Sequence, residues 1–273
     1  MLIGIASTYY ARHGGAVASV ETRFERALTA RGAEVRHVDP LGCGYDIRNG
    51  TACVLLDGAP LALDGLLVRR AAHHWNAVKT LVLVAHEGGA ACVDRPETFL
   101  TTYSGKFQAQ LRRFRLPDTH VPPSRLYFTA RAARQNPPPE SDFPLLRKPV
   151  RGSLGRGIER IGTPTAFADY VARYDFAEPL LVQQVIAGQE FRALLLGDRC
   201  LGVVVKRPGP TGLGNFAQGA QFVPGEGPTA VAVAALGRAL MAIAPYDFAA
   251  LDVLARPDGD LYVLELNRNP HFH

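Results

Sequence analysis

A chain of 273 residues, 47% hydrophobic and 20% charged, holds enough apolar material for two or three small lobes, each around its own core. The formal net charge of +5 and pI near 9.2 favour anionic ligands, but Lys and Arg are spread along the chain, which argues against a nucleic-acid partner. No apolar run approaches a membrane span, the start Met1–Ala6 lacks a basic leader, and Cys43, Cys53, Cys92 and Cys200 form no CxxC pair; the expectation is a cytoplasmic protein with reduced, mostly buried thiols.

Leu2–Ala6 predicts a short first strand. Ser19–Arg31 predicts a helix with Phe24, Ala27 and Leu28 on one stripe, stopped by Gly32. Glu34–Val38 and Gly65–Val68 are the next strands, and His74–His86 reads as helical. This alternation implies a mostly parallel sheet with covering helices. The glycines here make no GxGxxG, so a dinucleotide site is not signalled. Thr102–Arg115 predicts a basic amphipathic helix, followed by proline-rich turns near Pro117, Pro122 and Pro137. Leu145–Pro149 is a strand carrying Lys148, and Thr163–Tyr174 is a helix opened by Pro164. The last third turns antiparallel. Leu180–Val185 is a buried strand, Phe191–Leu196 and Cys200–Lys206 flank a Gly197-Asp198 turn, and Thr229–Ala244 is an Ala-rich helix. Phe248–Ala255 and Asp260–Leu266 form a closing hairpin across Asp258-Gly259.

The chemistry concentrates at that hairpin. Glu265 and Asn267 stand two apart, and alternate strand residues share a face. Asp252 on the partner strand would bring a third oxygen ligand, a set that suits magnesium and its habit of leaning on substrate phosphates. Upstream, Lys148 runs into a loop with Gly152, Ser153, Gly155 and Gly157, whose backbone amides can approach an anion closely. It is not a P-loop, because GxxxxGK[ST] is absent, and a glycine-rich turn that only connects strands fits the same residues. The strand ending in Gln183, Gln184, Val185 and Ile186 can pass along a planar base, with Glu190 placed to accept from ribose hydroxyls. A central strand with a polar, exposed end fits the same residues. Lys206 and Arg207 put two cations at a strand end, where a solvent-facing pair is the plain alternative, and Asn215 follows on a glycine-bearing loop.

Taken in order, these motifs resemble the ATP-grasp superfamily, and within it the RimK-like and LysX-like carboxylate–amine ligases. The likeness covers roughly Lys106 to Asn267, with a vaguer similarity in Gly65–Arg69 and Asp94–Glu97. It implies a mixed α/β and α+β chain: two lobes clasping ATP, behind an α/β pre-ATP-grasp domain. The domains would be 1–98 and 99–273, the latter with a small flap-bearing lobe at about 125–181 and a C-terminal lobe at about 182–273. By the resemblance, Lys106 and Lys148 contact ATP phosphates, Gly152–Gly157 cover them, Gln183–Ile186 line the adenine hinge and Glu190 takes the ribose. Asp252, Glu265 and Asn267 hold magnesium, or manganese in its place. Arg192, Lys206, Arg207 and Asn215 meet phosphoryl and acyl groups. The implied reaction is amide formation through an acyl phosphate, between an amino-acid-like carboxylate and an amine on a free amino acid, a peptide or a carrier protein.

Three departures bear on this. Gln184 stands where the hinge often has Glu, and Gln218 stands where relatives often have Arg, with Ala220 in place of a second Gly. The chain stops at His273, where many relatives continue, so the acceptor side is expected to be more open or completed by a second copy in a homo-oligomer. Competing readings are a nucleotide-binding regulator without turnover, and phosphoryl transfer or carboxylation on the same fold.

Overall fold

Parallel pairing in the first third follows from short apolar strands separated by helices. In the computed structural model, which describes residues 1–8, 19–48, 51–69, 74–101, 116, 119–150, 157–207, 221–244, 246–268 and 270, β1 (Leu2–Ser7) pairs in parallel with β2 (Glu34–Val38). On its other side β1 pairs in parallel with the strand Gly65–Arg69. The crossover between β1 and β2 contains α1 (Ser19–Thr29), in keeping with the helical connection that parallel strands require. Between β2 and Gly65 the chain inserts a feature the sequence reading passed over, an antiparallel sheet of β3 (Gly44–Arg48), β4 (Thr51–Leu56) and β5 (Ala59–Leu61). Asp57 and Gly58, both at positive φ (52° and 79°), make the tight turn between β4 and β5. The chain then returns through β6 (Gly65–Arg69), α2 (Trp75–Glu87) and β7 (Ala91–Val93), and the parallel sheet has the order β2-β1-β6-β7. Helix α2 buries Val78, Leu81, Val82 and Ala85, spaced to form one stripe. A short helix, α3 (Pro96–Thr101), follows.

Further along, β8 (Ser124–Tyr127), β9 (Leu145–Lys148), β10 (Glu159–Ile161) and β11 (Leu180–Gln184) form an antiparallel sheet of order β10-β9-β11-β8. Two helices, α4 (Ala130–Gln135) and α5 (Pro164–Arg173), follow β8 and β10, each capped by a threonine, Thr129 and Thr163. Tyr127, Leu145, Phe167, Val171, Leu180 and Val182 share the core of this layer. The next sheet has five strands in the order β14-β13-β12-β15-β16: β12 (Gln189–Leu196), β13 (Arg199–Arg207), β14 (Gln221–Pro224), β15 (Phe248–Ala255) and β16 (Leu261–Asn267). Helix α6 (Gly227–Ile243) packs on β12 and β13. Its Gly237 lies so close to Leu195 that a Cβ there would stand 2.8 Å from a methyl of that leucine. Among the described residues no helix is long and apolar enough to cross a membrane.

The chain divides into two compact units. One comprises Met1–Tyr103, Ala244–Ala249 and Arg268–His273; the other comprises Ser104–Ile243 and Ala250–Asn267. In the first unit, arginines tie its separate stretches together. Arg268 stacks over Trp75 (4.5 Å) and Phe99 (4.7 Å) and lies 3.5 Å from Asp94. Arg95 forks onto Asp247 at 2.6 and 3.0 Å, and Arg69 donates to the Pro270 carbonyl at 2.9 Å. The expected helix over Thr102–Arg115 lies outside the described residues.

Candidate active site

One face of the five-stranded sheet gathers most of the ionisable residues singled out in the C-terminal third. The hairpin of β15 and β16 sets Asp252 directly opposite Glu265 and Ala250 opposite Asn267. Residues directly opposite each other share a face, so Asp252, Glu265 and Asn267 present their oxygens on the same side. The pairing steps from Val253↔Val263 to Asp252↔Glu265, leaving Leu264 as an extra residue in a bulge. The bulge breaks the alternation of β16: Val263 and Leu266, three apart, are both buried, while Glu265 and Asn267 remain partly accessible. The loop at 256–260 is longer than the two-residue turn suggested by Asp258-Gly259. It is closed by Gly259 N–H to Arg256 C=O (3.0 Å) and Arg256 N–H to Asp260 C=O (2.9 Å).

Strand β12 lies beside β15 and adds Glu190 and Arg192, again two apart. Arg192 grips Asp252 with a two-pronged fork, Nε and NH2 each 2.7 Å from one carboxylate oxygen. Its guanidinium also lies over the Phe222 ring from β14. Lys206 on β13 stands opposite Glu190, and its ammonium contacts both Glu190 and Asp252, the latter at 2.8 Å. Lys206 is 1% exposed and Asp252 4% exposed. A lysine that deep is tolerable because two carboxylates satisfy it. Burial alone would raise the Asp252 pKa, but the hydrogen bonds and charges of Arg192 and Lys206 outweigh it and hold the carboxyl below its usual range. Burial raises Glu190, with Lys206 opposing only in part. Arg207, next along β13, is exposed, and strand alternation turns it to the opposite face from Lys206.

The donor set suits a hard divalent cation. Two carboxylates and an amide on one face offer oxygen only. Asp252 accepts three hydrogen bonds from the two cations, and a carboxylate has about four acceptor sites, so one remains. Among the described residues no cluster of three or more His, Cys, Asp or Glu has metal-binding geometry. A set with only two acids fits an ion that takes its remaining ligands from water and phosphate.

The smaller sheet carries the second group. Lys148 at the end of β9 and Gln183 on β11 meet, with the Lys148 ammonium donating to the Gln183 amide oxygen at 2.5 Å. Gln183 in turn donates to Ser124 Oγ at 2.8 Å, and Ser124 donates to the Pro122 carbonyl at 2.8 Å. At 2% exposure, Gln183 is a buried link rather than an open polar end. Its neighbour Gln184 reaches the Ser141 carbonyl at 3.2 Å. The Gln184 and Val185 N–H groups donate to the Pro123 and Pro144 carbonyls, and Ile186 follows, half-buried. Residues 185–188 then lead straight from β11 into β12, joining the two layers.

Gly157 sits at φ +70°, its carbonyl held by Arg147 NH1 at 2.7 Å, a position that only glycine takes without strain. Lys106, Gly152, Ser153, Gly155 and Asn215 lie outside the described residues, as do Gln218 and Ala220. The four cysteines are unpaired and only partly buried, against the expectation of buried thiols. Burial still pushes the Cys43 and Cys92 thiols up to about 11, which keeps them protonated. The sequence reading missed the contribution of Ser124 and the depth of Lys206; neither has a motif that would have revealed it.

No protein-family model matches the sequence, and no curated protein does. Solved structures do match over the full chain. A RimK-domain ATP-grasp protein from Sphaerobacter thermophilus is 20% identical, with 92% of its chain covered and a TM-score of 0.66. The ATP-grasp ligase PsnB, complexed with minimal precursor, Mg and ADP, is 17% identical, with 90% covered and a TM-score of 0.70. The macrocyclase MdnC from Microcystis aeruginosa, bound with the precursor peptide MdnA, is 14% identical, with 93% covered and a TM-score of 0.71. The chain therefore adopts the ATP-grasp fold.

Proposed function

We propose that the chain is an ATP- and magnesium-dependent ligase that joins a carboxylate to an amine through an acyl phosphate. The observation that carries this reading is the single sheet face on which Asp252, Glu265 and Asn267 meet Arg192, Lys206 and Glu190. The fold supports it, and so does the presence of Mg and ADP with PsnB. Because PsnB and MdnC are bound with precursors, a peptide is the substrate class we favour for this chain too.

In this reading Lys148, with Lys106, holds nucleotide phosphates, and Gly152, Ser153, Gly155 and Gly157 close over them. The hinge Gln184–Ile186 borders the base and Glu190 takes the sugar. Asp252, Glu265 and Asn267 hold magnesium, which when bound neutralises phosphate charge. Arg192 has the more accessible cation of the cluster, its side chain 22% exposed against 2% for Lys206. It is placed to offset charge on the transferring group. Arg207 and Asn215, on and after the end of β13, are assigned to the acyl side. The substrate carboxylate attacks the γ-phosphorus, ADP leaves, and an amine attacks the acyl carbon and expels phosphate. The protein's contribution is positioning and charge stabilisation rather than covalent catalysis.

Incubation with ATP, magnesium and pools of amino acids, dipeptides and longer peptides, read by ADP release and new masses, tests the reading. ADP should appear only with a carboxylate–amine pair, together with a product whose mass equals the sum of the two partners less water. Glu265→Ala should lower turnover by at least about 100-fold, equivalent to ~2.7 kcal/mol of lost stabilisation, while the fold survives. Nucleotide binding without turnover on any pool, or undiminished activity in that variant, would overturn it.

A further inference from the structure

We infer that Lys206 is a positioning residue that couples the sugar-side carboxylate Glu190 to the metal-side carboxylate Asp252. The inference rests on the nucleotide reading above and changes the part Lys206 plays in it. The resemblance implied a phosphoryl contact for this lysine. In the structure the side chain is 1% exposed, and its ammonium is held by two carboxylates from two other strands.

The geometry makes Lys206 the shared member of two subsites. Glu190 stands opposite it on β12, so that contact is a direct cross-strand pair. Asp252 lies one strand further, on β15, and the lysine stem reaches it past β12. Arg192 holds Asp252 as well, through a fork of Nε and NH2, but it is the Lys206 ammonium that contacts both carboxylates. Lys206 also anchors the approach to β12 through its backbone, because the Gln189 side chain donates to the Lys206 carbonyl at 2.9 Å. One ammonium therefore balances two anions. When a ligand draws on one of them, the ammonium shifts its hold toward the other, and the change is felt across both subsites. In a site this deep such coupling is little screened by water.

ADP binding, measured by titration calorimetry with magnesium and with chelator, tests this without relying on turnover. Wild-type protein should bind ADP more tightly with magnesium, and Asp252→Asn should abolish that enhancement. Glu190→Gln should weaken ADP binding and also cut the magnesium enhancement by about ten-fold, the equivalent of ~1.4 kcal/mol. In a Lys206→Met background the Glu190→Gln change should no longer alter the enhancement, whereas Lys206→Arg should restore part of the link. A magnesium enhancement that Glu190→Gln leaves intact in otherwise wild-type protein overturns the coupling. That measurement stands even if Lys206→Met does not fold. Wild-type protein that binds no ADP would instead overturn the nucleotide reading itself.

Discussion

A lysine ammonium on a four-carbon stem contributes little to phosphate binding unless something holds it in place. For Lys148 that partner is Gln183, whose amide oxygen takes the ammonium while its amide nitrogen is fixed by Ser124. Both ends of the glutamine are thus engaged, and its orientation is set by the lysine on one side and the hydroxyl on the other. Leucine at position 183 would keep the volume and remove both bonds. Hydrogen bonds to charged groups contribute about 1.5–3 kcal/mol, so Gln183→Leu should raise the KM for ATP by roughly ten-fold or more. The effect on kcat should be smaller, because the substitution leaves the Asp252 face untouched. Steady-state kinetics with varied ATP measure this, and an unchanged KM would show that Lys148 needs no such partner.

At the scale of elements, the passage from β11 to β12 depends on a close approach that only glycine permits. A Cβ at Gly188 would lie 2.6 Å from the Ala255 carbonyl oxygen at the end of β15, and backbone cannot swing aside as a side chain can. Gly188→Ala should therefore cost about 1–3 kcal/mol, the usual range for overpacking. Gly202→Ala on β13, where nothing stands within 4 Å, should be near neutral. Thermal melts of both variants decide the matter, and equal melting temperatures would count against the tight crossing. The longer elements were legible because each carries its own signal: the Pro164 start after Thr163, the stripe of α1, the apolar runs of β1 and β15. The same-face placement of Glu265 and Asn267, and Asp252 opposite, followed from spacing alone. Strands such as β8, β10 and β14, three or four residues long, hold too few alternations to stand out and exist by virtue of their partners. The sheet of β3, β4 and β5 had a readable cue in Asn49-Gly50 and Asp57-Gly58, overlooked because its strands mix polar and apolar residues. The depth of a charged side chain was not legible, although the apolar run of β11 did read as buried. Nothing in the string Val-Lys-Arg tells that Lys206 is sealed between two carboxylates while Arg207 faces water.

Across the whole molecule, buried carboxylates make stability depend on pH, and the two units carry opposite examples. In the first unit, burial raises Asp94 from 3.8 to about 6, with the Arg268 charge and the Asp247 N–H opposing only in part. A carboxyl whose folded pKa lies above its unfolded value favours the folded state below the unfolded value, near 3.8, and loses that contribution as pH rises through about 6. In the second unit Asp252 is held below 3.8, so its contribution is present above that value and is lost only at lower pH. The two windows scarcely overlap. Between pH 7 and pH 5, acidification should therefore stabilise the first unit through Asp94, by on the order of 1–2 kcal/mol. Asp94→Asn removes the titration while keeping a polar group of the same shape beside Arg268. Unfolding free energies compared at pH 5 and pH 7 should show a wild-type advantage over Asp94→Asn that grows toward pH 5. Hydrogen exchange resolved along the chain should place that difference in residues 1–101 rather than in the β12–β16 sheet. Glu190, raised in the same direction within the second unit, contributes equally to wild type and variant, so it drops out of the comparison. A stability difference that stays flat across this range would remove Asp94 as the titrating group.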